Sequence, residues 1–494
     1  MNSELNHGWQ KWLTGFWQRN GIFVEDYVML VAFLTIVTSY ANWAWLTGDL
    51  SFAEYIHPFA PGYNRMEQTH LGAECFNVAE SIIQGHGFSN PFGDQAEPTG
   101  PTGWVSPMLS YWMACGLWLV GGSREALTLL FLAMQILVLA LTGTICLAVG
   151  RRMQSTSLAI VAMVIVICTN FKWMFQVTHD CVFQMLWVDI IFLGLWHFPR
   201  PCRRVAGLFG WGSAGGLCAL AGPAAGGAWA VGTTIRWMTG SGRSCENVSH
   251  LPSGKSISPD TIWMRLRGIA IVGVVSLCVV SPWMLYQSWR LGKFVPIKSN
   301  SAFELYQGQC VVPDGLVVDM SFMLHPYHAS SQEGKRYREI GETGYLAEKQ
   351  KAARQSIQTH PAEYLRRVGN RFFASTLWFQ SEMRQDAERS WFPVLRGLAM
   401  LPFLGFVLLA GQQLAARSAI AAKRFEFIGG EEFDWVFPAA LCYAAYLMPY
   451  WCVSYYERYV VGVYLPRMLF VLGLFVLLKR GLEQWSRGRK TVSV

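Results

Sequence analysis

Runs free or nearly free of charge, punctuated by short clusters of arginine and lysine, set the pattern of this chain. They fall at about 28 to 47, 126 to 150, 157 to 178, 182 to 198, 206 to 222, 223 to 238, 268 to 289, 391 to 415, 434 to 453 and 459 to 479. A helix needs about 20 apolar residues to cross a hydrocarbon core of ~30 Å, so these are the predicted crossings. Trp104 to Val120 is a further apolar run, rich in Trp. If it crossed, and 206 to 238 crossed only once, Arg151-Arg152 and the "PRPCRR" run at 199 to 204 would lie outside, against the positive-inside tendency. If it lies in the interface, and the later run breaks at Gly222-Pro223, every short basic loop falls on one side. Those loops are Arg151-Arg152, Arg200 to Arg204, Arg236 to Arg267, Arg417 to Arg424 and Lys479-Arg480. The expectation is an all-α polytopic membrane protein with about ten transmembrane helices and both ends cytoplasmic.

That topology divides the chain into a cytoplasmic N-terminus (1–27), a transmembrane module (28–289) with a first external loop (48–124), an external loop subdomain (290–390), and C-terminal transmembrane helices with a cytoplasmic tail (391–494). The first loop would carry two interfacial helices. In one of them Cys75, Val78, Ala79 and Ile82 recur at helical spacing, and Glu74, Asn77, Ser81 and Gln84 form the opposite stripe. Gly85 supplies the stop. Glu74 therefore stands at a helix start, where the helix dipole favours its ionised form. The second loop reads as polar and mostly helical.

Composition agrees: 52% of the 494 residues are hydrophobic and only 15% charged. The net charge of +8 is what positive-inside loops produce and gives no reason to invoke nucleic acid. The twelve cysteines show no CxxC or metal-ligand spacing, so neither a disulfide framework nor a zinc site is expected. No P-loop, GxGxxG in a βαβ context or HExxH is present, which excludes nucleotide-driven transport and zinc protease chemistry. "MNSELNHGWQKWLTGFWQRNGIFVEDY" has no apolar core, so no signal peptide is expected.

A carboxylate beside a membrane surface can act as general base toward a hydroxyl, so Glu74 is either that base or a plain helix-start charge. Asp180 of "THD" falls on the same predicted side, as a second site carboxylate or part of a polar turn. Asp189, about nine residues further on and ~13 Å along the helix, reads as structural, facing the bundle interior. Lys298 and Arg458, past external helix ends, could hold a phosphate, Arg as a fork and Lys as a point charge, or could anchor helices to headgroups. His86, His179, Asn300, Glu304, His325 and Glu342 could line a substrate groove or serve in packing and capping. Tyr443, Tyr446, Tyr450, Trp451, Tyr455 and Tyr456 read as an interfacial belt rather than a sugar platform.

The stretch "AECFNVAESIIQGHGFSNPFGDQAEPTGPTGWVSP" resembles the first external loop of bacterial GT-C membrane glycosyltransferases, the class that includes protein O-mannosyltransferases and lipid A aminoarabinose transferases. "SNSAFELYQGQ", then "HPYH", then "EGKRYREIGETGYLAEKQKAARQSIQTHPAEYLRR" is similar to the large external loop of that branch. "YYERYVVGVYLP" resembles the entrance to one of its late helices. The matches run, in order, from about 70 to 470.

The resemblance implies two juxtamembrane helices in the first loop and a site facing the periplasm of a bacterial inner membrane. It implies transfer of a sugar from a polyprenyl-phosphate donor, with inversion, to a hydroxyl of a lipid, glycan or protein acceptor. Glu74 would be the general base, Asp180 the acid found after the third crossing, and Lys298 and Arg458 the holders of the leaving phosphate. Many relatives carry Asp three positions earlier, where this chain has Leu71-Gly72, which leaves the base to be chosen among Glu74, Glu67 and Glu80. The class does not uniformly require a metal, so no cofactor is required and no metal ligand is assigned. A divalent cation, if bound, has His179 beside Asp180 to go to. The competing readings are a flippase or transporter of lipid-linked glycans, which would place polar residues through its helices, and a non-catalytic scaffold subunit.

Overall fold

The structure is a computed structural model that describes residues 23–47, 73–92, 98–175, 179–198, 201, 205–239, 259–318, 325–327, 331–377, 392–417 and 433–492. Glu67 and most of the Arg236 to Arg267 and Arg417 to Arg424 stretches lie outside them. In chain order, α1 (Val24–Ala41) precedes two short helices, α2 (Ala73–Ile83) and α3 (Pro107–Leu119). The long α4 (Arg124–Arg152) leads to α5 (Thr156–Cys168) and α6 (Cys181–His197). Helices α7 (Val205–Ala221) and α8 (Pro223–Thr239) meet at Gly222, and α9 (Pro259–Leu291) follows. The second loop holds α10 (Ser301–Tyr306), α11 (Gln332–Thr359) and α12 (Pro361–Thr376). The chain closes with α13 (Phe392–Arg417), α14 (Val436–Cys452) and α15 (Tyr464–Val492).

Almost every described residue is helical, as apolar segments must be if each is to satisfy its own backbone hydrogen bonds in lipid. Helices α1, α4, α9, α13 and α15 are long and apolar enough to cross a membrane, and α5, α6, α7 and α14 are shorter apolar helices. Each of the ten runs expected from the sequence overlaps one of these helices or α8, and five of the helices reach spanning length. Helix α3 has 13 residues, ~20 Å at 1.5 Å per residue, and packs on α2.

One end of the bundle is fastened by arginines. Arg151 pairs with Asp26, Arg152 Nη2 lies 3.3 Å from Asp434 Oδ2, and Arg236 Nε donates to Leu195 O at 3.1 Å. The other end carries α2, α3 and the second loop. Between them α15 is the central helix, with Met468 to Leu472 fully buried, while α1 turns Val28, Ile36 and Tyr40 outward.

The second loop is tied down by two arginines one turn apart. Arg371, fully buried, donates to the carbonyls of Gly308, Gly315, Trp451 and Cys452; burial lowers its pKa to about 10. Arg367 donates to Gln309 O and Pro313 O. A parallel pair of two-residue strands, β1 (Leu316–Val317) and β2 (Tyr455–Tyr456), joins this loop to the segment ahead of α15.

Candidate functional site

At the loop-bearing end lies a cavity of about 80 Å³, assembled from four distant stretches of chain. Each wall has a local reason for its place. Helix α2 begins at Ala73, so Glu74 sits in its first turn. Its neighbours Phe76 and Ala79 are buried against α3 and α4, and Val78 against Phe88 and Trp283. Of the polar stripe expected on its other face, Ser81 is buried, Glu74 and Asn77 are half-buried and Gln84 is exposed. After the positive-φ turn at Gly85 and Gly87 the chain doubles back, so that Ser81 Oγ meets Ser89 Oγ at 2.7 Å and Asn77 donates to Pro91 O at 3.1 Å. Glu80 faces away and accepts from Arg124 at 3.0 Å.

Asp180 is the N-cap residue of α6. One turn on, Gln184 donates to Asp180 Oδ2 at 2.9 Å while its own oxygen accepts from Tyr446 at 2.8 Å and Tyr450 at 3.2 Å. A side chain at Gly222 would meet the Gln184 amide carbon at 2.9 Å, so the small residue between α7 and α8 makes room for this brace. Arg458 lies in the 3-10 segment Glu457–Val463 directly after β2. Its Nη2 is 3.9 Å from Asp180 Oδ1, and its guanidinium lies over the rings of Tyr456 and Tyr459. Lys298 and Asn300 come from the turn after α9, and Glu304, from α10, accepts from Asn300 Nδ2 at 3.2 Å.

His325 completes the lining. Its Nδ1 accepts from Tyr327 N at 3.2 Å, so the ring proton belongs on Nε2, 3.5 Å from Glu74 Oε1. Phe92, Trp104 and Phe303 surround the imidazole edge to face.

The two carboxylates are pushed apart in acidity. Burial, reinforced by Glu304 and Asp180, raises the pKa of Glu74 above the ordinary carboxylate range despite a backbone N–H and Arg458. Burial acts on Asp180 too, but Arg458, Lys298 and His179 outweigh it and hold its pKa low. Pairs of groups separated in this way are suited to different roles, one exchanging a proton and one staying ionised.

Of the residues chosen from the sequence, Glu74, Asp180, Lys298, Arg458, Asn300, Glu304 and His325 all line the cavity. Three do not. His86 is exposed on the surface turn. His179 is fully buried beneath the cavity, with Nε2 2.9 Å from Trp173 O, and burial lowers its pKa to about 4. Glu342 is buried behind the wall, where it accepts from Thr102 Oγ1 at 2.5 Å, Ser299 Oγ at 2.6 Å, Gly103 N at 2.8 Å and Tyr337 at 3.0 Å. Asp189 accepts from Thr142 Oγ1 at 2.5 Å inside the bundle. The tyrosines expected in a belt are instead inward: Tyr443, Tyr446, Tyr455 and Tyr456 are buried, and Tyr450, stacked on Tyr459 at 4.1 Å, lines the cavity. Gln184 had no signal in the sequence beyond being a polar residue in an apolar run.

His179, Asp180 and Cys181 bring ligand atoms within 4.8 Å of one another. The Asp180 oxygens of this set already face Arg458 Nη2 at 3.9 Å and Gln184 Nε2 at 2.9 Å. Burial keeps the Cys75 thiol protonated.

The fold and the site define an all-α protein of membrane type with a polar, mixed-charge cavity at one end of its bundle. In comparisons with known proteins the chain matches no family model, no curated protein and no solved structure.

Proposed function

We propose that this chain is an inverting, GT-C-type membrane glycosyltransferase that moves a sugar from a polyprenyl-phosphate donor to an acceptor hydroxyl at the external membrane face. The observation that carries the reading is the convergence, in one cavity, of a high-pKa carboxylate with a low-pKa carboxylate and two cations, all from distant parts of the chain. Glu74 takes the proton of the acceptor hydroxyl, and the oxygen attacks the anomeric carbon. The bond from that carbon to the phosphate oxygen breaks, and its electron pair leaves with the polyprenyl phosphate. Arg458 and Lys298 hold the charge that develops there, while Asp180, kept ionised, holds the two cations in place. Of the carboxylates named from the sequence that are described, Glu74 fits the base best, since Glu80 is committed to Arg124. The stacked Tyr450–Tyr459 pair offers an aromatic face for a sugar ring.

The predicted crossings, about ten, put this cavity opposite the arginine-fastened end, which the positive-inside tendency places in the cytoplasm of a bacterial inner membrane. The acceptor is a lipid, glycan or protein hydroxyl. The test is transfer of radiolabelled sugar in membranes supplied with polyprenyl-phosphate donors, comparing the natural chain with Glu74→Gln at matched expression. Loss of transfer in the folded variant supports the reading. Equal transfer by both moves the base elsewhere, and no transfer across a donor panel sinks the enzyme reading in favour of a flippase or scaffold.

A further inference from the structure

The charges around the cavity are not evenly shared. Arg458 Nη2 lies 3.9 Å from Asp180 Oδ1, and Lys298 also acts on Asp180, so both cations that line the cavity stand on that carboxylate's side. Glu304 lines the same space but has no ion pair among the described residues. Its Oε1 accepts from the neutral Asn300 amide at 3.2 Å, and no described group donates to Oε2. The residue is half-buried, and its charge acts on Glu74, Tyr450 and Tyr459. It therefore lies within electrostatic reach of the proposed base and of the stacked tyrosine pair.

The local structure fixes its place. Ser299 N donates to Gly103 O at 2.7 Å, which ties the turn ahead of α10 to the first loop. Phe303, only 3% exposed, packs on Trp104 with ring centroids 5.2 Å apart, and Glu304 N donates to Asn300 O at 3.0 Å. A carboxylate held in this way, with one oxygen open, calls for a donor, since an ionised carboxylate only accepts. Space sets the size of the molecule that brings it. A water needs about 10–15 Å³ of such room, so a cavity of about 80 Å³ takes roughly five to eight waters, the bulk of one monosaccharide ring.

We propose that Glu304 reads the sugar: its carboxylate accepts hydrogen bonds from ring hydroxyls of an uncharged monosaccharide and repels sugars that carry a carboxylate of their own. This deepens the transferase reading and rests on it for the presence of a sugar in the cavity. The Asn300 amide, already spent on Glu304, orients the carboxylate rather than the ligand. Hydrogen bonds to an ionised acceptor are the stronger kind, and a site built around them rejects a group that cannot donate. A carboxylate brought against Glu304 would add like-charge repulsion. The donor's phosphate belongs on the Asp180 side, with Arg458 and Lys298.

The experiment is isothermal titration calorimetry of the purified full chain in lauryldimethylamine oxide, a detergent without a sugar headgroup. The ligands are farnesyl phosphate, farnesyl phosphoglucose and farnesyl phosphoglucuronate. The natural chain is expected to bind the glucose ligand about 10- to 100-fold more tightly than the glucuronate ligand. Glu304→Ala lowers affinity for the glucose ligand by about the same factor and nearly equalises the two sugars. It leaves bare farnesyl phosphate bound no more weakly than before, because a negative charge has gone. Glu304→Lys inverts the preference toward glucuronate, which a merely damaged site would not do. Equal affinity for the two sugars in the natural chain, or a preference that neither variant alters, overturns the proposal. So does loss of all three ligands from both variants, which would make Glu304 a structural residue. If the natural chain binds none of the three, the transferase reading fails and this one falls with it; binding of farnesyl phosphate without a sugar preference removes this proposal alone.

Discussion

Glu342 offers the sharpest test of how the cavity wall is held. Each of its oxygens accepts two bonds: Oε1 from Gly103 N at 2.8 Å and Ser299 Oγ at 2.6 Å, Oε2 from Thr102 Oγ1 at 2.5 Å and Tyr337 at 3.0 Å. Glu342→Leu leaves four buried donors facing a methyl group. Three are hydroxyls that can rotate, but the Gly103 N–H cannot, and Ser299 is adjacent to Lys298 in the site. At roughly 1–3 kcal/mol per donor left unsatisfied, with partial rescue of the hydroxyls, the loss should be about 3–5 kcal/mol. Glu342→Gln keeps the shape. Its oxygen can serve Gly103 and Ser299 while its NH₂ turns toward Thr102 and Tyr337, whose hydroxyls reverse to accept, so the cost should be about 1–2 kcal/mol. Hydrogen exchange at the Gly103 amide, together with thermal unfolding in detergent, measures both. Burial raises the folded pKa of Glu342; the folded state therefore retains this proton more strongly than the unfolded chain. Its stabilisation is complete below the unfolded pKa and declines as pH rises through the folded one. The gap between natural chain and Glu342→Gln should accordingly narrow with rising pH. If Leu and Gln cost the same, or if Gly103 exchanges no faster in Glu342→Leu, the donor accounting is wrong.

Other outcomes follow from the same geometry. The raised pKa of Glu74 means that transfer, which needs its ionised form, should fall on the acid side with a midpoint above the ordinary carboxylate range; Glu74→Gln should flatten that limb in a pH–rate profile. Arg458→Met removes a charge-assisted phosphate contact of about 1.5–3 kcal/mol, so donor kcat/KM should drop roughly 10- to 100-fold, with Arg458→Lys losing less. Arg371→Met strips four carbonyls of their donor and should lower stability by about 3 kcal/mol, read as an earlier melt and faster proteolysis of the second loop. Gly405→Ala would drive a methyl into Phe470 O, where α13 crosses α15, and should cost about 1–3 kcal/mol, seen as loss of monodisperse protein in size-exclusion chromatography.

The helical architecture was legible because each apolar run must close its own backbone hydrogen bonds; the pattern from Val24 to Ala41 or Arg124 to Arg152 admits no other element. The break at Gly222-Pro223 and the stop at Gly85 were legible for the same local reason. Glu74, Asp180, Lys298 and Arg458 could be named because charged residues at helix ends are few in such a chain, and the loop resemblance selected among them.

Their meeting in space was a different matter. Lipid-facing and core-facing sides of these helices are equally apolar, so periodicity could not say that α15 is central and α1 peripheral, nor that the tyrosines from Tyr443 to Tyr456 point inward. The second loop read only as polar and mostly helical, and docking of α12 on α14 and β1 is what gave Arg371 its four carbonyls. What the sequence determined by itself was local: which segments are helices, where they stop, and which few side chains there carry charge. The tertiary structure alone decided which of those charges share a cavity, because a carboxylate's acidity is set by burial and by cations from elsewhere in the chain. Glu74 and Asp180 are the same chemistry in sequence, and only their neighbours send their pKa values in opposite directions.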